Sequence, residues 1–405
     1  MFTSPTTPAH VQAPASEPPQ LHWTEAGELR QARWRCERGA APPGRVVIAG
    51  DTLSADAAYR LACEGTALLW RGDFQNARQL LQALARRTDR KPRQPRNPPK
   101  AALEGDNTPG AVFHRHRQAQ AQRARVLGMV LIPLDADFGI PLRRAPDMRQ
   151  ACREAWGLPD EPGGASVASL RELLGLVSAH EWRKKGVAVA ALGAAPHNRI
   201  HPHYGVFSPL RGEYVQLVAE VPLPAGDGTA FDIGTGSGVL AAVLARRGMR
   251  VTATDTDARA LACASDNLAR LSLSAQVQLL QTDLFPPRGA ALVVCNPPWL
   301  PARPGSPIER AIYDEDSRML LGFVRGLSAH LAPGGEGWLI LSDLAEHLGL
   351  RTRAELLLAF NQAGLRVLGR VDRRPMHGKA FDTEDPLHAA RSLEITSLWR
   401  LGAVG

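Results

Sequence analysis

The spacing of apolar positions changes character partway along the chain. From Thr229 onward, short apolar runs alternate with runs spaced for a helix. The pattern predicts strands over 229–233, 250–255, 277–283, 291–295, 337–341, 365–371 and 393–401. It predicts helices over 238–247, 257–271, 314–331 and 352–362. Boundary residues agree. Gly248 closes the first of these helices and Asp257 caps the second, while residues 314–316 make an acidic first turn. Thr352 and Glu355 have the spacing of a capping box, with Gly364 at the far end. The run 291–295, Ala-Leu-Val-Val-Cys, is apolar throughout, as a strand covered on both faces is. Strands alternating with helices imply an α/β domain over 201–405 with a mostly parallel sheet.

The first half is less regular. Strands are expected over 45–49, 66–70 and 129–134. Helices are expected over 54–63 with Ser54 as cap, 73–87 with Asp73 as cap, 112–128 and 146–156. Together they predict a smaller α/β domain over 21–160. After the linker-like Pro-Asp-Glu-Pro-Gly-Gly, a further helix over 167–182 makes 161–200 a helical linker. The Pro/Thr/Ala-rich residues 1–20 read as a disordered tail.

Charge sharpens the division. The 405 residues carry a net charge of +8. Residues 1–200 hold 28 Lys and Arg against 19 Asp and Glu, whereas residues 201–405 hold 20 against 21. Residues 86–100 alone carry seven basic residues, one acid and four prolines, the start of a basic loop over 86–110. Proline keeps such a tract out of a helix interior. It reads equally as a solvated insertion or as an arm that contacts phosphates. A basic half suits an anionic macromolecular partner.

Composition narrows the classes. Hydrophobic residues are 44% and charged residues 22%, ordinary for a globular protein. No apolar stretch approaches the ~20 residues of a membrane span. The N-terminus lacks the basic start and apolar centre of a signal peptide. Five scattered cysteines without a CxxC pair argue against a disulfide framework or a zinc ribbon, and point to a reducing cytoplasm. The pairs His114/His116 and His201/His203 have no second ligand cluster, so no metal site is expected.

The chemistry sits at strand ends. The strand 229–233 runs into Gly234-Thr235-Gly236-Ser237-Gly238, a turn that lets backbone approach a ligand at a helix N-terminus. Tight strand–helix packing would also use such glycines. A dinucleotide fingerprint is G-x-G-x-x-G, but Val239 stands at its third glycine. Asp232, just before the turn, would repel a pyrophosphate and attract a cation, directly or through water. S-adenosylmethionine (SAM), with an ammonium, a sulfonium and no phosphate, suits this turn better than NAD. Asp255 ends the next strand, where an acid accepts hydrogen bonds from ribose hydroxyls. Asp257 competes for that role but is placed to cap a helix. Asp283, with the Leu284 backbone beside it, is placed either to meet an adenine amino group or to cap a loop.

The fourth strand ends in Asn296-Pro297-Pro298-Trp299. An exocyclic amine on a base or carboxamide is a poor nucleophile because its lone pair is delocalised. Acceptors from the Asn296 side chain and the Pro297 carbonyl would hold its two hydrogens and free that lone pair. Proline after Asn296 stiffens the turn, and Trp299 could stack on the planar group.

With these motifs in order, residues 205–345 resemble a class I SAM-dependent methyltransferase of the small-domain type with an NPP-aromatic motif. That group includes release-factor glutamine methyltransferases and ribosomal guanine-N2 methyltransferases. The stretches FDIGTGSGVLA, VTATDTDARALACASDN, TDLF and NPPWLP carry the resemblance. It implies a Rossmann-like domain with a seven-stranded, mostly parallel sheet. It also implies SAM held by Asp232, Gly234, Thr235, Gly236, Gly238, Asp255, Asp283 and Leu284, and transfer at Asn296, Pro297, Pro298 and Trp299. Trp299 departs from the commoner Tyr or Phe. Phe207, in a segment similar to the loop that closes over SAM, lines the pocket or belongs to the core. The stretch GDFQNARQLL resembles the degenerate N-terminal domain of the ribosomal group. The expected substrate is a base amine in ribosomal or transfer RNA. The alternatives are a glutamine of a translation factor and a non-catalytic RNA-binding protein of the same fold.

Overall fold

The computed structural model describes residues 18–90, 107–159, 164–306, 308–375, 378 and 381–404. Most of the expected tail, residues 91–106 of the basic loop and residues 160–163 lie outside the described residues.

The first sheet has six strands: β1 (Gln20–Glu25), β2 (Glu28–Arg35), β3 (Arg45–Ala49), β4 (Thr66–Trp70), β5 (Val130–Leu134) and β6 (Ser166–Ser169). Their order is β1-β2-β6-β5-β4-β3. β3, β4 and β5 are parallel, and β6 is antiparallel to β5. Among the described residues, five helices accompany the sheet: α1 (Ala55–Cys63), α2 (Phe74–Thr88), α3 (Pro109–Leu127), α4 (Arg149–Trp156) and α5 (Leu170–Lys185). Successive side chains of a strand point to opposite faces. Leu68 and Trp70 therefore pack with α2 and α5 residues such as Phe74, Leu84 and Leu173. Ala67 and Leu69 face the other way, towards Leu21 and Trp34 of the hairpin β1–β2. Ser54 and Asp73 cap α1 and α2 as their spacing predicts.

Three features of this half differ from the sequence expectation. The hairpin β1–β2 begins within the expected tail. Its register, Glu25 opposite Glu28, leaves a two-residue turn in which Ala26 and Gly27 both have positive φ. Ala-Gly is not the usual Asn-Gly signal for that turn. Residues 166–169 form a central strand rather than the start of a helix, because a short apolar run is ambiguous in period. Ser169 then caps α5, and Leu170, Leu173 and Leu176 are buried in the first core. This part of the expected helical linker 161–200 therefore belongs to the N-terminal unit.

A short ladder of β7 (Val187–Ala188) and β8 (Arg199–Ile200) leads to α6 (Gly212–Glu220) and the second sheet. Its strands are β9 (Thr229–Ile233), β10 (Arg250–Asp255), β11 (Val277–Gln281), β12 (Ala290–Cys295), β13 (Leu331–Ser342), β14 (Leu365–Arg373) and β15 (Thr396–Ala403). The order is β11-β10-β9-β12-β13-β15-β14. Only β15 runs against its neighbours, so the sheet is seven-stranded and mostly parallel, as the resemblance implies.

The helices here are α7 (Val239–Arg246), α8 (Ala258–Arg270), α9 (Arg318–Leu327), α10 (Leu344–His347), α11 (Arg353–Gln362) and α12 (His388–Arg391). In β12, Leu292 and Val294 join the core under α6 and α7, while Val293 and Cys295 join the core under α9 and α11. The capping box of Thr352 and Glu355 is present on α11. The expected helix 314–331 is instead broken at its start. Asp316 and Ser317 have positive φ, and both Asp314 carboxylate oxygens accept amide hydrogens, from Met319 and Leu320. The acidic turn thus caps α9 from just outside it.

The two units meet near the segment after β12. Phe113 of α3 is buried with Leu300, Leu344 and Leu387. Arg117 lies 4.0 Å above the Tyr313 ring and donates to the Arg303 carbonyl at 2.7 Å. No helix among the described residues is long and apolar enough to cross a membrane.

Candidate active site

Strand order fixes where a ligand fits. On one side of β9 the chain proceeds through β10 to β11, and on the other through β12 to β13. That reversal is a topological switch point, and its crevice opens beyond the carboxyl ends of the strands. Register brings three motifs together there. Ile233 pairs with Thr254 on one side and Cys295 on the other. Gly234 is therefore flanked by Asp255 and Asn296.

The glycine turn needs its glycines. Gly234, Gly236 and Gly238 all have positive φ. A Cβ on Gly234 would collide with the Met319 side chain, and one on Gly238 would press against Ala264. At Gly236 a Cβ would meet nothing. The turn is thus packed from behind at its two ends and open at its middle. Thr235 is buried and tied to β10 by its amide, which donates to the Thr254 carbonyl at 2.8 Å.

Asp232 does not face the crevice as a charge waiting for a cation. It is 1% exposed. Its Oδ2 accepts from Thr235 Oγ1 at 2.6 Å and from the Ala241 amide at 3.0 Å. The carboxylate braces the turn against the first turn of α7. Burial pushes its pKa up to about 6, against the opposing pull of those two hydrogen bonds.

Asp255 is half-buried at the tip of β10. One oxygen accepts from the Gly236 amide at 3.0 Å and the other from the Asp257 amide at 2.9 Å. Each oxygen retains a lone pair for a further donor. Burial raises its pKa, opposed by these backbone hydrogen bonds. Asp257 caps α8 through the Arg259 amide, so the competing reading of that residue as a ribose ligand is not supported.

Asp283 is more exposed than its strand-end reading implies, because β11 stops at Gln281. Its carboxylate pairs with Arg318 at 3.1 Å on an exposed surface. Leu284 has positive φ, and its carbonyl accepts from Thr254 Oγ1 at 2.6 Å. Phe207 is half-buried and lies outside the buried cores.

Asn296 is engaged by its own loop: the Trp299 indole N–H donates to Asn296 Oδ1 at 2.9 Å. One face of Trp299 is covered by the Arg211 guanidinium, 4.6 Å from the ring centroid. The expectation of Trp299 as an open stacking platform is corrected to that extent. Arg211 is held in turn by Glu213 at 2.7 Å and Glu394 at 2.9 Å. Sequence reasoning did not single out Arg211 or Glu394. They lie far from Trp299 along the chain, and no local spacing signals the contact.

The His201/His203 pair is occupied locally. His201 Nδ1 lies 2.7 Å from the Arg183 carbonyl, and His203 Nε2 lies 2.9 Å from Asp266. Among the described residues no three His, Cys, Asp or Glu side chains converge as metal ligands would.

Comparison with known proteins adds a likeness to one family. Residues 197–353 match the family model of the methyltransferase small domain. A release factor glutamine methyltransferase of Moorella thermoacetica is 41% identical over 134 residues, which are 31% of this chain and 47% of that protein. A ribosomal RNA small subunit methyltransferase C of Pseudomonas aeruginosa is 35% identical over 155 residues, 36% of this chain and 43% of that protein. The chain spans less than half the length of each of these two relatives. Among solved structures, a ribosomal protein L11 methylase from Lactobacillus delbrueckii subsp. bulgaricus is similar at 18% identity and a TM-score of 0.35, over 52% of this chain and 90% of that one.

Proposed function

We propose, from the match of residues 197–353 to the methyltransferase small domain, that the protein is a SAM-dependent N-methyltransferase. Its substrate is the exocyclic amine of a base in ribosomal or transfer RNA. The observation that carries this reading is the register that seats Asn296 beside Gly234, across from Asp255, at the switch point.

The residues present fit SAM. Space is open at Gly236, and Asp255 beside it has acceptor capacity for two hydroxyls. Asp232 acts behind the turn and Asp283 stands at its rim. When bound, SAM supplies an electrophilic methyl group on a sulfonium. The chain's own task is to present the amine. Asn296 Oδ1 and the Pro297 carbonyl accept the two hydrogens of the amine, which draws its lone pair out of conjugation. No strong base is needed beforehand, because nitrogen acidity rises once the methyl arrives. Pro298 continues the stiff turn that keeps both acceptors in place.

The N-terminal unit supplies the positive charge that favours RNA; residues 86–88 of the basic run are the last turn of α2, where Arg87 pairs with Asp56, so the phosphate-contacting arm is residues 91–100. A protein glutamine is the second reading, because a carboxamide presents the same planar NH2 and four of the relatives found are release factor glutamine methyltransferases. A substrate in the translation machinery places the protein in the cytoplasm, where its five free cysteines remain reduced. Incubation of the full chain with methyl-labelled SAM, total RNA and release factors separates the readings. Label in RNA is expected. Label confined to protein would replace the RNA reading with the glutamine one.

A further inference from the structure

Trp299 stands where the resemblance leads one to expect Tyr or Phe, and it does something neither of those can do from that ring position. Its indole N–H reaches back to Asn296 at 2.9 Å. Indole nitrogen is only a donor, so the Asn296 atom that meets it must be the oxygen. The side-chain amide of Asn296 is thereby held in one of its two flips. The oxygen spends one lone pair on Trp299 and keeps the other.

The indole is itself held. Arg211 lies over its face at 4.6 Å, close enough for a cation–π contact. Arg211 is also clamped by two shielded carboxylates, Glu213 with a side chain 7% exposed and Glu394 with one 0% exposed. Glu394 is anchored too: its Oε1 accepts from Ser342 Oγ at 2.6 Å, and Ser342 Oγ accepts from the Leu344 amide at 3.1 Å. The chain of contacts therefore runs from the end of β13 through Glu394 and Arg211 to the indole, and from the indole to the amide at the end of β12.

We infer that Trp299 and Arg211 are positioning residues: Arg211 sets the plane of the indole, and the indole N–H orients Asn296 so that its remaining lone pair meets the substrate amine. This rests on the proposed N-methyltransferase reading and adds to it. Arg211 leaves at most one aromatic face for a platform. A positioning residue needs a donor, and Trp299 has one in place.

Two arms test the inference. In the first, the full chain is labelled with nitrogen-15 at tryptophan, and the Trp299 indole signal is identified by its loss in Trp299→Phe. Asn296→Ala is expected to shift that signal and to speed its hydrogen exchange about tenfold, the net worth of one hydrogen bond. Arg211→Gln is expected to shift it as well, with Arg211→Lys restoring part of the position. A Trp299 signal unmoved by Asn296→Ala overturns the inference, whatever the substrate is.

In the second arm, methyl transfer is followed with labelled SAM on unmodified transcribed ribosomal RNA and on release factors. Trp299→Phe, which keeps the aromatic face, is expected to lower kcat about tenfold with KM for the substrate within twofold. Full kcat in Trp299→Phe, with a raised KM in Trp299→Ala, would restore the platform role and overturn positioning. A wild-type chain that labels neither substrate while the indole signal still responds to Asn296 would overturn the functional reading and leave the contact standing.

Discussion

Both halves of the chain place glycine and aspartate where a parallel strand runs into a helix, yet one arrangement is closed and the other open. In the N-terminal unit, Asp51 follows β3 and Asp73 follows β4. Asp51 accepts the Asp73 amide at 3.0 Å, and Asp73 caps α2 and pairs with Arg144 at 2.6 Å. A Cβ on Gly72 would run into Asp51. Both acids are thus engaged by the unit's own groups. In the C-terminal unit, Asp232 is spent on bracing the turn, but Gly236 faces open space and Asp255 and Asn296 stand on either side. The difference teaches that strand-end acids alone do not make a ligand site. What distinguishes the second sheet is an unfilled middle glycine at a switch point. Charge is divided the opposite way, with the excess in the half whose strand ends are closed. On the proposed reading, one unit grips and the other reacts.

The comparison breaks first at Asn296. Asn296→Ala is expected to reduce methyl transfer by roughly a thousandfold, the upper range for losing one placed transition-state hydrogen bond. SAM affinity should stay within twofold when measured by titration calorimetry. Equal loss of both would make Asn296 part of the donor site and remove the division between the turn and the NPPW loop. Asp255→Ala comes next. It should weaken SAM binding by about 10- to 100-fold, as loss of charge-assisted hydrogen bonds does. The same measurement on Asp73→Ala should leave SAM affinity unchanged, since that strand end is closed.

Neutralising Lys91, Arg93, Arg96 and Lys100 tests the other unit. RNA affinity measured across a salt series should fall, and the salt slope should flatten by about 0.7 for each phosphate no longer neutralised. An unchanged slope would make the tract a solvated loop. The smallest effect on SAM binding is expected at Asp232. Its folded pKa, about 6, lies above the unfolded value near 3.9. The folded chain therefore binds more protons between those values, and stability falls as pH rises through them, by roughly 3 kcal/mol once ionised. Asp232→Asn keeps an acceptor for Thr235 and Ala241 and removes the charge. Urea unfolding from pH 4 to 7 should show a flatter profile in that variant, with SAM affinity within threefold. A larger drop in affinity would return Asp232 to the role of a direct cation ligand.

Much of the reactive site is legible in the sequence because it lies at strand ends. Alternating apolar runs locate the ends of β9, β10 and β12, and parallel pairing then brings residues 234, 255 and 296 together. The cap role of Asp257 is legible for the same local reason. What is not legible depends on distance or on orientation. The sequence does not say that Asp232 points inward to Thr235, nor that β11 stops before Asp283. Arg211 meets Trp299 through tertiary packing alone. In the N-terminal unit the hairpin escapes notice because Ala26-Gly27 carries a weak turn signal. Ser166–Ser169 escapes because four apolar or small residues fit either period. Phe113 reads as an ordinary helix position, and only the fold shows it buried beside Leu300.

The central claim is that the crevice between Gly236, Asp255 and Asn296 holds a methyl donor. Isothermal titration of the full chain with SAM, followed by S-adenosylhomocysteine as a competitor, tests it most directly. The expected result is one SAM site per chain, displaced by the competitor and weakened by Asp255→Ala. No heat of binding for either compound, from a chain shown to be folded, would contradict it.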